Sequence, residues 1–104
     1  MASSFSVEFT LAARQDLRTI SRYIAEKLNN PKAASELSDR ITSSAISLST
    51  FPKRYRVRRK DSKGCELRYM TVKNFVLIYT VYDSASVVSI VRIAYGRRDI
   101  ASML

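Results

Sequence analysis

The stretch ELRYMTVKNFVLIYTVYDSASVVSIVRIAY, residues 66–95, decides the fold. It is dense in Val, Ile, Tyr and Phe and is broken twice by short polar segments, Lys73-Asn74 and Asp83-Ser84-Ala85. Branched and aromatic side chains suit a pleated, half-buried surface, and short polar breaks between such runs are where a chain reverses. Three strands follow, Glu66 to Val72, Phe75 to Tyr82 and Val87 to Tyr95, running as an antiparallel meander. The middle strand is apolar on both faces, with Phe75, Leu77, Tyr79 and Val81 on one and Val76, Ile78 and Tyr82 on the other. Both faces therefore need cover. One cover is expected from helices, and the second face reads as a groove for a partner.

Toward the N-terminus, Phe5 to Phe9 alternates apolar and polar residues, as a short strand does. Thr10 suits a helix N-cap. Ala13, Leu17, Ile20, Ile24 and Leu28 then recur at helical spacing, beside a basic stripe of Arg14, Arg18 and Arg22. Asn30-Pro31 pairs an N-cap with a first helical residue, so a second helix starts there with Ala34, Leu37, Ile41, Ala45 and Leu48 as its buried stripe. Leu48 to Phe51 ends it and Pro52 enforces the stop. Helices joined this tightly form an antiparallel hairpin. The expected order is β-α-α-β-β-β, an α+β domain spanning residues 1–104 in which an antiparallel sheet packs on an N-terminal two-helix hairpin. The tail Ile100 to Leu104 has the length of one helical turn.

Residues 53–63 mark the sharpest change of composition, with seven basic residues and one acid. The segment reads as a loop or ribbon closed by a turn at Asp61-Ser62-Lys63-Gly64. Over the whole chain 18 Lys and Arg face 9 Asp and Glu, for a formal charge of +9. Such a field attracts polyanions, whether nucleic acid or an acidic protein. Lys53, Arg54, Arg56, Arg58, Arg59, Lys60, Arg92, Arg97 and Arg98 are the candidate contacts to such a target, and Tyr55 interleaved among them adds a stacking surface. The plainer reading of residues 53–63 is a solvated loop.

The chain has no histidine and one cysteine, Cys65. Histidine-dependent triads and His-rich metal sites are excluded, and no metal or cofactor is expected. An internal disulfide is impossible. The opening residues lack the pattern of a secretory signal, and no apolar run approaches the roughly 20 residues that span a bilayer. A soluble, cytoplasmic protein without membrane partners is the expectation.

Several pieces, in this order, resemble the RelE/ParE toxin superfamily. Ala13, Asp16, Leu17, Ile20, Tyr23 and Ile24 resemble its "A-x-x-D-L-x-x-I-x-x-Y-I" opening. Asn30-Pro31 with Ala33-Ala34 resembles the start of its second helix, and Leu48 with Phe51-Pro52 the end. Gly64, Arg68, Val72, Asn74, Phe75 and Tyr79 resemble "R-x-x-x-V-x-N-Y-x-x-x-Y" with its preceding glycine. Ile90, Arg92, Ile93, Gly96, Arg97, Arg98 and Asp99 resemble its "I-x-R-I-x-x-G-R-R-D" ending.

The resemblance implies a growth-inhibiting toxin of a type II toxin–antitoxin system, of the kind associated with plasmid maintenance. It also implies neutralisation by a cognate antitoxin, acidic and partly disordered, that wraps around it. Two chemistries occur in the superfamily: RelE-like members cut ribosome-bound mRNA, and ParE-like members inhibit DNA gyrase without a nuclease centre. A nuclease without histidine would need Arg on the phosphate and Tyr or Glu for proton transfer. Glu66, Arg68, Tyr69, Arg92, Tyr95, Arg97 and Arg98 supply those types, and Glu66, Arg68 and Arg98 are the catalytic candidates. Against RelE-like members, Val76 stands at the place of the catalytic arginine, and residues 99–104 contain no tyrosine. The ParE-like reading, a gyrase inhibitor, is therefore preferred over the ribosome-dependent endoribonuclease and over a non-toxic nucleic-acid-binding module. Arg68 is equally readable as structural, paired with Asp83 or Asp99. Tyr69, Tyr79, Tyr82 and Tyr95 read as core or sheet-face residues.

Overall fold

The alternation near the N-terminus forms strand β1 (Ser6–Phe9). The computed structural model describes residues 4–96 and 100–104. Thr10 caps helix α1 (Leu11–Arg22), its hydroxyl accepting from the Ala13 N–H at 3.1 Å. The helix passes directly into a π-helical turn, Tyr23–Lys27, closed by the Leu28 N–H on the Tyr23 carbonyl at 3.3 Å. A π turn takes more residues per revolution than an α turn. Leu28, placed by its spacing on the buried stripe, is thereby rotated outward and stands 58 % exposed.

Asn30 caps helix α2 (Pro31–Ile46) by accepting from the Ala33 N–H at 3.1 Å, with Pro31 at its first position. A 3₁₀ turn, Ser47–Ser49, prolongs it. Ala34, Ile41, Ala45 and Leu48 are buried as the spacing requires, and Leu37 is half-buried.

Beyond a 3₁₀ turn at Pro52–Arg54, the basic segment forms a further strand, β2 (Val57–Lys60), so the order has one strand more than expected. The Asp61 carboxylate builds the turn after it, accepting from the N–H groups of Lys63 and Cys65 at 2.9 Å each. Those donors hold the Asp61 carboxyl below the usual carboxylate range. The meander follows as β3 (Glu66–Val72), β4 (Phe75–Tyr82) and β5 (Val87–Tyr95). The sheet order is β1-β5-β4-β3-β2, with β1 parallel to β5 and every other neighbour antiparallel.

The two faces of β4 support two cores. Leu77, Tyr79 and Phe75 pack with Met70, Ile90 and Ile93 under the helices. On the opposite face Leu67, Val76, Ile78 and Ala94 pack with Ile100 and Met103 of a terminal turn, α3 (Ile100–Met103). Part of the face read as a partner groove is thus covered by the chain's own tail. Tyr82 lies outside that core and is 46 % exposed.

Two side chains fix the helices and the basic segment to the sheet. Asp16 on α1 accepts from Arg92 Nε and a terminal guanidinium nitrogen at 2.8 and 2.9 Å, and from the Ile93 N–H at 2.9 Å. Its carboxylate raises the Arg92 pKa above the ordinary guanidinium value. Tyr79, fully buried, donates its hydroxyl to the Pro52 carbonyl at 2.7 Å. Burial pushes its pKa up to about 12.

Two outcomes are expected. Asp16→Asn should destabilise the fold by about 2 kcal/mol, since charge-assisted hydrogen bonds are lost while Arg92 keeps its charge; urea melts measure it. Tyr79→Phe should cost about 1 kcal/mol near neutral pH by removing the hydroxyl that donates to the Pro52 carbonyl. Unfolded tyrosine ionises near pH 10 and the folded residue near 12, so the Tyr79 contribution fades as pH rises through that window. Melts of Tyr79→Phe should accordingly lose that part of the alkaline slope.

Candidate functional site

The basic residues singled out in the sequence divide into two sets, and backbone carbonyls make the division. Arg54 donates to the Ser47 and Thr50 carbonyls at 3.2 Å and to Ser47 Oγ at 2.7 Å, closing the end of the second helix. Arg68 donates to the carbonyls of Lys53 and Tyr55 and so ties the basic segment to β3. Lys53 pairs with Asp83 at 2.7 Å with both side chains more than half exposed, a contact of small energetic weight. Arg92 is bidentate on Asp16.

Among the candidate contacts, Arg54 and Arg92 thus engage groups of the fold itself, as does the catalytic candidate Arg68, and Lys53 has a carboxylate partner. Of the two carboxylates named as partners for Arg68, Asp83 pairs with Lys53 instead, and Asp99 lies outside the described residues. Glu66 is exposed and stands opposite Lys60 across the β2–β3 pair. Arg97, Arg98 and Asp99 lie outside the described residues.

Arg56, Arg58, Arg59 and Lys60 form the second set. All four are exposed, and none has an ion-pair partner among the described residues. The pairing of β2 with β3 shifts between Val57 and Arg59, which makes Arg58 the extra residue of a bulge. Bulges bend an edge strand and re-aim a side chain. Here the Arg58 guanidinium lies over the Tyr69 ring, 5.0 Å from its centroid. Arg54 similarly approaches the Tyr55 ring at 5.5 Å.

The result is a cleft of about 370 Å³ lined by Tyr55, Arg56, Arg58, Tyr69, Thr71 and Val76. A second cleft of about 300 Å³ shares Thr71 and Val76 and continues past Lys73, Asn74, Tyr95 and Gly96. Both clefts open on the face away from the helical hairpin. Among the described residues no carboxylate lines either cleft, so the positive charge there has no neighbouring counter-charge among them. Thr71 and Lys73 were not among the candidate residues, and Tyr69 was named only as a residue type suited to proton transfer and as a sheet-face residue. Their one-letter pattern is that of any sheet face, and the pairing of β2 with β3 sets Tyr69 and Thr71 beside Arg56 and Arg58.

A different surface occupies the other side. Ile20, Tyr23, Ile24 and Leu28 from the end of α1 and its π turn meet Phe75 and Tyr95 around a groove of about 660 Å³. Phe75 and Tyr95 touch edge to face at 5.3 Å. Tyr23, Leu28 and Tyr95 are each more than half exposed, which is unusual for side chains so close together. The π turn creates this groove by turning Leu28 out of the helix stripe.

No helix among the described residues is long and apolar enough to cross a membrane. No curated protein sequence matches the chain. Solved structures do resemble it. The chromosomal ParDE system of P. aeruginosa superposes with a TM-score of 0.73 at 21 % identity, over 90 % of this chain and 98 % of that one. The RelBE2 toxin–antitoxin complex of Mycobacterium tuberculosis gives 0.63 at 20 % identity, over 89 % and 92 %. The archaeal RelE–RelB complex of Pyrococcus horikoshii gives 0.63 at 16 %, over 91 % and 98 %. These likenesses establish the RelE/ParE-like fold. The sequence model of the ParE toxin of type II toxin–antitoxin systems (parDE) matches residues 7–100. With that match covering nearly the whole chain, the protein belongs to the ParE toxin family of type II toxin–antitoxin systems.

Proposed function

We propose that this ParE-family toxin arrests growth by acting on DNA gyrase as a stoichiometric inhibitor, and that a cognate acidic antitoxin silences it. The observation that carries the reading is the family match over residues 7–100, because it separates ParE from RelE where the folds coincide. The geometry supports it from a second direction. A nuclease built on Glu66 and Arg68 needs a guanidinium free to meet a phosphate, and that of Arg68 is held by the Lys53 and Tyr55 carbonyls.

The antitoxin has a natural seat in the groove beneath the π turn. An amphipathic segment laid there would bury Tyr23, Leu28 and Tyr95, at roughly 25 cal/mol for each Å² of apolar surface removed from water. The +9 charge would speed its encounter with an acidic partner.

Expression of the chain alone should stop growth, and co-expression of its acidic neighbouring gene should restore it. DNA breaks should accumulate while transcripts stay intact; cleavage at defined codons in primer extension would instead assign the RelE-like activity. Tyr23→Glu combined with Leu28→Glu places two charges in the groove at already exposed positions. That variant should remain toxic and escape the antitoxin. Full rescue of the double variant would remove the groove from the neutralising interface.

A further inference from the structure

The two clefts on the open face of the sheet form one track. They share Thr71 and Val76, and together they run from the β2 edge to the turn between β3 and β4. Among the described residues three cations stand along it, Arg56, Arg58 and Lys73, and no carboxylate does. Two tyrosines, Tyr55 and Tyr69, flank the first cleft, whereas Tyr95, which also borders the second, turns its ring toward Phe75 on the hairpin side. We propose that this track binds single-stranded nucleic acid, with bases stacking on Tyr55 and on the Arg58–Tyr69 pair and phosphates held by the edges of Arg56 and Arg58 and by Lys73.

Charge by itself would not single out this ligand, since an acidic peptide is also an anion. The arrangement of the rings does. A guanidinium fixed over Tyr69 offers a flat cationic surface to a base, and aromatic rings spaced along a basic groove are a sequence-tolerant platform for unpaired bases. A peptide seated beside β2 would need apolar pockets for alternate side chains, and Val76, 3 % exposed, is the only aliphatic residue among the described ones that line either cleft. Duplex DNA is disfavoured because its bases are already stacked and hide their faces from Tyr69. This inference stands apart from the choice of gyrase as target, and it involves no bond-breaking step.

The test uses the purified full chain and fluorescence anisotropy with labelled ten-nucleotide oligomers of deoxythymidine and of uridine. A ten-base-pair duplex and a poly-glutamate peptide serve as competitors. Single strands should bind at least tenfold more tightly than duplex or peptide, and affinity should fall with log salt at a slope of about 2, as three phosphate contacts on a single strand require. Tyr69→Leu should weaken binding about tenfold or more, whereas Tyr69→Phe should retain it. Arg58→Gln should weaken binding and reduce the salt slope by about 0.7. Arg14→Gln with Arg18→Gln, on the helical side, should leave affinity within twofold. Equal binding of the two oligomers assigns recognition to bases and phosphates common to DNA and RNA, and a preference for uridine adds a contact to the 2′-hydroxyl.

The proposal is overturned if single strands are not bound, or if duplex or peptide binds as well as they do. It is also overturned if the helical-side variant loses as much as Arg58→Gln, or if a folded Tyr69→Leu binds normally. Should Tyr69→Leu fail to fold by its thermal melt, Tyr55→Leu at the exposed rim provides the same reading.

Discussion

Among the described residues, strand β5 has no strand on its outer side beyond Ile90, because β1 stops at Phe9. Backbone groups left there under a helix would cost free energy unless they were paired. Thr10 and Asp16 pair them. The Thr10 hydroxyl donates to the Val91 carbonyl at 2.8 Å while accepting from the first turn of α1, and Asp16 takes the Ile93 N–H and the Arg92 guanidinium together. The shift of register between β4 and β5 falls at this same place, with Val91 as the extra residue. A cap, a carboxylate and a bulge therefore act as one joint, and the direction of α1 across the sheet follows from it. So does the position of the π turn above Phe75 and Tyr95.

The same joint explains why the molecule has two unlike surfaces. With α1 fixed, its far end overhangs the tip of the sheet and leaves an apolar groove on the helical side. Among the described residues the opposite face carries only the short α3 turn, and clefts lie beside it next to the basic edge strand. Burial of apolar surface governs the first surface, and charge and ring stacking govern the second. A protein that must meet both a neutralising partner and a separate target gains from this separation, since two occupants need not compete for the same chemistry.

Much of this was legible in the sequence where local chemistry decides the outcome. Thr10 and Asn30-Pro31 act through hydrogen bonds to residues three positions away, so the caps they form follow from neighbours alone. The meander was legible for the same reason, its strands being joined by turns of two to four residues. Strand β2 was not, because its pairing with β3 gives its residues their conformation while the letters announce only charge. The π turn escaped notice because the stripe through Leu28 fits an ideal helix. The candidate site was half legible: Arg56 and Arg58 stand out by composition, whereas Tyr69, Thr71 and Lys73 acquire meaning only once β2 lies beside β3. Arginine is the hardest letter to read. Arg54, Arg68 and Arg92 differ from Arg56 and Arg58 by whether a carbonyl or carboxylate lies within reach, and the chain determines that at distances of 4 to 76 residues.

The basic edge strand has a second physical use that bears on the weight given to each of its residues. An edge strand exposes unpaired backbone groups, and lysine or arginine on it discourages pairing with another chain. That need accounts for Arg59 and Lys60, which are exposed, lie on the free edge strand and carry no cation–π contact. It does not account for Arg58. A charge meant only to keep other strands away would point into solvent, where its hydration is complete. The Arg58 side chain instead lies on the sheet face against Tyr69, in a cleft that also gathers Arg56 and Tyr55. Uncompensated positive charge also destabilises a compact chain through self-repulsion. Keeping Arg56 and Arg58 together without a carboxylate is therefore a cost to folding that edge protection does not offset, and an anionic ligand on that face does.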